Sequence, residues 1–132
     1  MSGAILGVGT DLVDVARVER ALARHGTRFR DKVFTPAEQA YCESMKAPGK
    51  YYAARFAAKE AVSKAFGTGL GKDLGWQSIS VEHHSTGAPK VILDAPARAL
   101  LDKLGGGEVL ISLTHTETLA QAFAVITRSA HV

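Results

Sequence analysis

An alanine-rich helical segment in the middle of the chain, predicted from about Lys50 to Phe66, constrains the fold more than any other feature. Alanine is the strongest helix former, and the segment is bounded by Ala47-Pro48-Gly49 before it and by Gly67 after it. Along this helix Phe56, Glu60 and Lys64 follow at spacings of four and share one face, together with Ala53 and Ala57. A carboxylate and an ammonium group therefore lie beside aromatic and small residues on one stripe.

Two interpretations of this stripe stay open on the sequence alone. Glu60 and Lys64 could form an exposed ion pair that contributes only a few tenths of a kcal/mol. The loop that follows, 67–71, contains three glycines whose amides can approach a phosphate closely, which favours a site. The loop is not a Walker A sequence, because a helix precedes it and Asp73 follows Gly71-Lys72. A simple helix cap explains the same glycines equally well.

A second carboxylate, Asp11, follows a predicted buried strand, Ala4 to Gly9. Asp11 is interpreted either as a site residue or as the cap of the first helix, which is predicted to begin around Leu12 to Asp14 and to end near His25. If Asp11 and Glu60 meet in the fold, the two carboxylates are typical of a Mg²⁺ site, since Mg²⁺ takes one or two carboxylates, waters and substrate phosphate oxygens.

The first predicted helix separates its side chains by type. Its apolar stripe is Val15, Val18 and Leu22, and its opposite face carries Arg17, Arg20 and Arg24. Such a face is either solvated or a docking surface for an acidic partner. A nucleic-acid partner is disfavoured, because the net charge is only +3 and aromatic residues make up 7% of the chain.

The remaining segments complete an α+β fold class, with an antiparallel sheet packed against helices. Thr35-Pro36-Ala37-Glu38 predicts a capped helix start. The other predicted elements are a helix continuing to about Met45, strands over Trp76 to His84 and Lys90 to Leu93 in a hairpin, a helix from Pro96 to Leu104, and strands over Glu108 to His115 and Leu119 to Thr127.

Length and composition predict a single domain, 1–132, of ordinary globular type, with 46% hydrophobic and 22% charged residues. One cysteine, Cys42, excludes an intramolecular disulfide, and we expect it in the core. No signal peptide or apolar span of membrane length is apparent, which favours a cytoplasmic location and no membrane partner. Four histidines lack metal-ligand spacing and are expected at the surface: His25, His83, His84 and His131.

Four stretches together resemble the holo-[acyl-carrier-protein] synthases, the short bacterial branch of the 4′-phosphopantetheinyl transferase superfamily. The resemblance extends from Ile5 to about Val125, and the central stretch is its most specific part. The stretches are Ile5-Leu6-Gly7-Val8-Gly9-Thr10-Asp11-Leu12-Val13, Arg55-Phe56-Ala57-Ala58-Lys59-Glu60-Ala61-Val62-Ser63-Lys64-Ala65-Phe66-Gly67-Thr68-Gly69, Gly87-Ala88-Pro89 and Ser112-Leu113-Thr114-His115.

This resemblance implies a cytoplasmic, Mg²⁺-dependent enzyme of fatty acid biosynthesis and lipid metabolism. Such enzymes move the 4′-phosphopantetheine arm of coenzyme A onto a serine of an acidic acyl carrier protein and release adenosine 3′,5′-bisphosphate. They are generally homotrimers with sites at subunit interfaces. Carried over to this sequence, Asp11 and Glu60 would bind Mg²⁺ and, with Lys64, form the catalytic group.

The resemblance also implies binding residues. Lys64 would contact the pyrophosphate of coenzyme A, and the carrier protein would dock on Arg17, Arg20 and Arg24, with Arg17 foremost. The residues implied to hold coenzyme A are Lys64, Gly67, Thr68, Gly69, Pro89 and His115.

Two other functions remain compatible with the residues. A metal-dependent phosphodiesterase or nucleotide hydrolase could use the same carboxylates with water as the acceptor, and would cleave coenzyme A without a carrier. A non-enzymatic basic binding module would bind tightly without any metal and would be indifferent to the loss of Glu60.

Overall fold

The computed structural model describes residues 3–130, and its central element is helix α4, most of whose residues are buried. In chain order the elements are β1 (Ile5–Asp14), α1 (Val15–His25), α2 (Thr27–Val33), α3 (Pro36–Glu43), α4 (Gly49–Phe66), a short 3₁₀ turn (Trp76–Ser78), β2 (Ile79–His83), β3 (Pro89–Leu93), α5 (Ala95–Leu104), β4 (Gly106–His115) and β5 (Leu119–Arg128). The predicted α+β class is confirmed.

A three-stranded antiparallel sheet of order β1-β5-β4 packs one face against α4. Small residues on both elements make this contact close. A Cβ at Gly7 would lie 2.0 Å from the Ala65 carbonyl oxygen, and a Cβ at Gly9 would lie 2.0 Å from the Ala61 carbonyl oxygen. Only glycine fits at these two positions, so β1 lies directly on the helix backbone.

The other face of this sheet is exposed and carries five large apolar side chains among polar ones. Side chains alternate along a strand, so the residues between the buried alanines of β5 point away from α4. Val8 is 65% exposed and Phe123 is 54% exposed. The exposed apolar face consists of Val8, Leu12, Leu110, Leu119 and Phe123.

The predicted hairpin is confirmed as a separate two-stranded sheet of β2 and β3. A buried ion pair joins this sheet to the helices. Lys59 Nζ lies 2.7 Å from Glu38 Oε1 and also donates to the carbonyl oxygens of Trp76 and Ile79. Glu38 completes the predicted capping box with Thr35, and its second oxygen accepts from the Val81 amide. One carboxylate therefore connects α3, α4 and β2.

Several elements differ from the sequence predictions. The first strand of the hairpin begins at Ile79 rather than Trp76, because Trp76–Ser78 form a 3₁₀ turn. The first strand continues past Gly9 to Asp14, because β5 pairs with it along this whole length. Asp11 thus lies inside the strand, and the interpretation of Asp11 as a helix cap is wrong; Asp14 is the N-cap residue. Helix α2 was not predicted. It begins directly after Gly26, whose φ of 55° turns the chain without a longer loop. Helix α3 ends at Glu43 rather than near Met45.

The core expectation for Cys42 is confirmed, since its side chain is fully buried. His25 and His84 are exposed as expected, and His131 lies outside the described residues. The surface expectation for His83 is wrong. This side chain is half-buried, and its ring contacts Tyr41 and Arg55. Between residues 3 and 130, we find no helix with the length and apolar character needed to cross a membrane.

Candidate active site

The close contact of β1 with α4 brings Asp11 and Lys64 together. Lys64 Nζ donates to the Thr10 carbonyl oxygen at 2.9 Å and lies 3.2 Å from Asp11 Oδ1. The Asp11 side chain is 17% exposed, whereas that of Lys64 is 51% exposed. The lysine therefore reaches from solvent across to a largely buried carboxylate on the neighbouring strand, rather than serving only as the exposed partner of Glu60.

Glu60 lies one helical turn before Lys64 and is half-buried. Burial raises its pKa above the ordinary value, and the Asp11 carboxylate raises it further, while Lys64 and Arg17 act in the opposite direction. The Asp11 charge is thus close enough to act on Glu60. Two carboxylates from different elements converge at this point with two cationic side chains around them.

This donor set fits a hard divalent cation. Within the described part of the chain, no group of three or more His, Cys, Asp or Glu side chains comes together as a metal site. Mg²⁺ needs only one or two carboxylates and takes its other oxygens from water and substrate phosphates. Burial and, after it, the Asp11 charge raise the pKa of Glu60, and a bound cation would offset both effects.

The glycine loop begins one helical turn after Lys64, at the end of α4. Gly67 ends α4 with a φ of 82°, and the Gly69 amide donates to the Ser63 carbonyl oxygen, so the predicted helix cap is confirmed. Thr68 is exposed. A cavity of about 280 Å³ lies between the start of β1 and the end of α4, and its lining includes Gly7, Val8, Lys64 and Gly67.

Pro89 and His115 lie together in a second, smaller cavity of about 170 Å³. This aromatic pocket is lined by Tyr41, Tyr51, Ala54, Arg55, His83, Pro89, Leu113 and His115. The rings of Tyr51 and His115 pack edge to face, with 5.3 Å between the ring centres. The pocket is built by α3, α4, β2, β3 and β4, so no single segment of the sequence reveals it.

Arg55 is the residue of this pocket that sequence reasoning missed. It is only 3% exposed, and its buried Nε has no hydrogen-bond partner. Its Nη2 lies 3.1 Å from His83 Nε2, and its guanidinium lies 4.3 Å from the centre of the Tyr41 ring. Among the residues that the structure describes, no carboxylate forms an ion pair with Arg55. Tyr51 and Arg55 lie one helical turn apart, and this spacing is the sequence signal that could have pointed to Arg55.

The aromatic pocket and the carboxylate pair lie on different sides of α4. Arg55 and Glu60 are five residues apart, which corresponds to about 140° around the helix and about 7.5 Å along it. The residues that the sequence resemblance implies for coenzyme A therefore fall into two groups within one chain. Lys64, which contacts Asp11, lines the cavity at the end of α4 together with Gly67, whereas Pro89 and His115 lie in the aromatic pocket.

Arg17, Arg20 and Arg24 are exposed on α1, as the helical pattern predicts. Arg20 and Arg24 border one shallow groove. The Arg17 charge acts to lower the pKa of Glu60, against the larger effects of burial and Asp11.

The sequence matches known proteins over most of its length. A sequence model of the 4′-phosphopantetheinyl transferase superfamily matches residues 7–123. Holo-[acyl-carrier-protein] synthase from Ruminiclostridium cellulolyticum is 50% identical over 121 residues, which cover 90% of each chain. The protein of the same name from Moorella thermoacetica is 46% identical over 125 residues, which cover 95% of this chain and 96% of the relative.

Solved structures show the same fold. The crystal structure of holo-[acyl-carrier-protein] synthase from Neisseria meningitidis superimposes with a TM-score of 0.87 at 33% identity, covering 92% of this chain and 98% of that one. The enzyme of this name from Helicobacter pylori, solved in complex with coenzyme A, gives a TM-score of 0.80 at 28% identity, covering 90% of this chain and 98% of that one.

Proposed function

The chain belongs to the 4′-phosphopantetheinyl transferase superfamily, and from that premise we propose that it acts as a holo-[acyl-carrier-protein] synthase. It transfers the 4′-phosphopantetheine arm of coenzyme A to a serine of apo-acyl carrier protein and releases adenosine 3′,5′-bisphosphate. The observation that carries this proposal is the convergence of Asp11, Glu60 and Lys64 in a chain of this family. Hydrolysis of coenzyme A and non-enzymatic binding are not favoured, since the matched relatives are synthases.

The reaction forms a bond between the serine oxygen and the phosphorus that carries the pantetheine arm, and it breaks the bond from that phosphorus to the oxygen of the adenosine 5′-phosphate. Negative charge grows on the leaving phosphate, so groups that stabilise this charge accelerate the reaction. Asp11 and Glu60 would hold Mg²⁺, which supplies charge neutralisation at the diphosphate when bound. Lys64 Nζ donates a hydrogen bond to the Thr10 carbonyl oxygen, and the Lys64 side chain is half-exposed. This position suits contact with the pyrophosphate or proton donation to the leaving phosphate.

The serine hydroxyl must also lose a proton. Glu60 itself or a nearby water accepts it.

Two features support a homotrimer in which neighbouring copies complete each site. The apolar sheet face of Val8, Leu12, Leu110, Leu119 and Phe123 is too exposed for an isolated chain, and a second copy would cover it. The implied coenzyme A residues lie on two sides of α4, so one coenzyme A would lie between Lys64 of one copy and the Pro89 and His115 pocket of the next. A cytoplasmic location follows from the proposed substrates.

The acidic carrier protein would dock on Arg17, Arg20 and Arg24. The arginines are exposed on α1, the helix that directly follows the strand of Asp11, so a partner on this face would present its serine near the carboxylate pair. Opposite charges on the two surfaces would speed their encounter.

The decisive experiment is intact-mass measurement of apo-carrier protein after incubation with this protein, coenzyme A and Mg²⁺. Transfer adds the mass of the phosphopantetheine arm to the carrier. We expect Glu60→Gln to lower kcat by about 10²-fold or more, as for loss of an electrostatic catalytic group. Asp102→Asn, which removes an exposed carboxylate on α5, is the matched control and should leave kcat unchanged. Transfer that proceeds without Mg²⁺, or at full rate with Glu60→Gln, would contradict the metal assignment, and carrier-independent cleavage of coenzyme A would indicate a hydrolase.

A further inference from the structure

Arg55 is a buried cation that lacks a counter-charge within the described chain. A guanidinium removed from water at 3% exposure is costly unless its charge and its N–H groups are satisfied. Its Nε has no partner, and the Tyr41 ring that it contacts offers a π face but no acceptor in the guanidinium plane. A planar donor of this kind at the wall of a cavity suits an oxyanion.

The only side-chain hydrogen-bond partner that the structure shows for Arg55 is His83, through Nη2 and Nε2 at 3.1 Å. Arginine can only donate, so His83 Nε2 must be the acceptor. His83 is therefore a neutral imidazole whose proton lies on Nδ1. Burial, followed by the Arg55 charge, lowers the pKa of His83, in agreement with a neutral ring.

The fold fixes the position of the His83 side chain beside Arg55. His83 ends β2 and is the direct cross-strand partner of Pro89, so the hairpin register determines its place at the pocket. Its ring centre lies 4.4 Å from that of Tyr41 on α3. The imidazole is thus held between the hairpin and α3, and it holds one end of the long, rotatable Arg55 side chain.

We propose that His83 is a positioning residue that fixes the Arg55 guanidinium in the aromatic pocket to receive a phosphate group of coenzyme A. This inference rests on the proposed function. Arginine loses rotamer entropy when it is fixed, so a pre-positioned guanidinium binds its anion more tightly. His83 touches Arg55 rather than the reacting atoms, and its effect is on coenzyme A binding rather than on phosphoryl transfer.

The test distinguishes the contribution of the His83 hydrogen-bond acceptor from that of its aromatic ring. His83→Phe keeps an aromatic ring against Tyr41 but removes the acceptor, whereas His83→Gln keeps an acceptor. We expect His83→Phe to raise KM for coenzyme A about 10- to 100-fold, the loss that one hydrogen bond to a charged group produces, with kcat within about twofold of wild type. His83→Gln should stay within about twofold in both constants. His84→Leu, at the adjacent exposed residue, is the matched control and should change neither.

Each variant is also assayed with 3′-dephospho-coenzyme A. If the penalty of His83→Phe disappears with this substrate, Arg55 receives the 3′-phosphate; if the penalty is equal for both substrates, Arg55 receives the diphosphate. Equal KM values for wild type and His83→Phe with both substrates would overturn the inference, as would a fall in kcat without a change in KM. If His83→Phe does not fold, as judged by its thermal transition, His83→Leu takes its place. Absence of transfer by the wild-type protein would instead refute the proposed function.

Discussion

Gly9→Ala is the change that tests most directly how the fold forms the candidate site. An added Cβ would lie 2.0 Å from the Ala61 carbonyl oxygen and 2.9 Å from the Ala65 amide nitrogen, both of them backbone atoms of α4. To restore a separation of 3.0 Å from 2.0 Å, strand and helix must part by about 1 Å. Asp11 lies two residues along the same strand and would move away from Glu60 and Lys64.

Overpacking of this kind costs about 1–3 kcal/mol. At this chain length, one kcal/mol corresponds to about 3–5 °C in Tm, so we expect Tm to fall by about 3–15 °C. A displacement of about 1 Å at a catalytic group lowers the rate by about 10²-fold, so kcat should fall well beyond any loss of folded protein.

The assay is differential scanning fluorimetry together with transfer kinetics at a temperature where both proteins are folded. Gly71→Ala is the matched control, since a Cβ there meets nothing within 4 Å and the backbone does not need glycine. A Gly9→Ala protein with unchanged Tm and unchanged kcat would refute the argument that this glycine sets the distance between strand and helix.

Three further predictions concern buried groups. Burial raises the pKa of the Cys42 thiol to about 12, so Cys42 should resist alkylation by iodoacetamide in the native protein and react fully in urea; rapid native labelling would contradict its burial. Lys59→Met leaves the Glu38 carboxylate buried without its cation, and urea unfolding should show a loss of about 3–5 kcal/mol, part of which a second change, Glu38→Gln, restores. The pKa of His83 is lowered from 6.5 on folding, so the unfolded chain binds more protons near and below that pH and stability should fall as the pH drops through this range. His83→Gln should flatten this slope in urea titrations, and an unchanged slope would show that another group causes it.

The sequence alone was enough for the elements whose signals are local. The capping box of Thr35 and Glu38, the glycine stop at Gly67 and the strand alternation of the second half act within a few residues, and the structure confirms them. Helix α2 was missed because its only marker was Gly26, which also reads as a simple stop. The resemblance to known transferases likewise depends on short stretches of residues, and the comparisons confirm the family.

Long-range packing decided the rest, because local patterns carry no information on which surfaces meet. The extension of β1 to Asp14 depends on pairing with β5, more than a hundred residues away in the chain, and that pairing moved Asp11 from a cap into a strand. The aromatic pocket is formed by five elements together. The hydrogen bond between Arg55 and His83 could therefore not be predicted from the sequence around either residue. The sequence therefore identified the candidate site residues from short local patterns. Their convergence into a site depends on the close contact of β1 with the alanine-rich face of α4, where glycine allows the two backbones to touch.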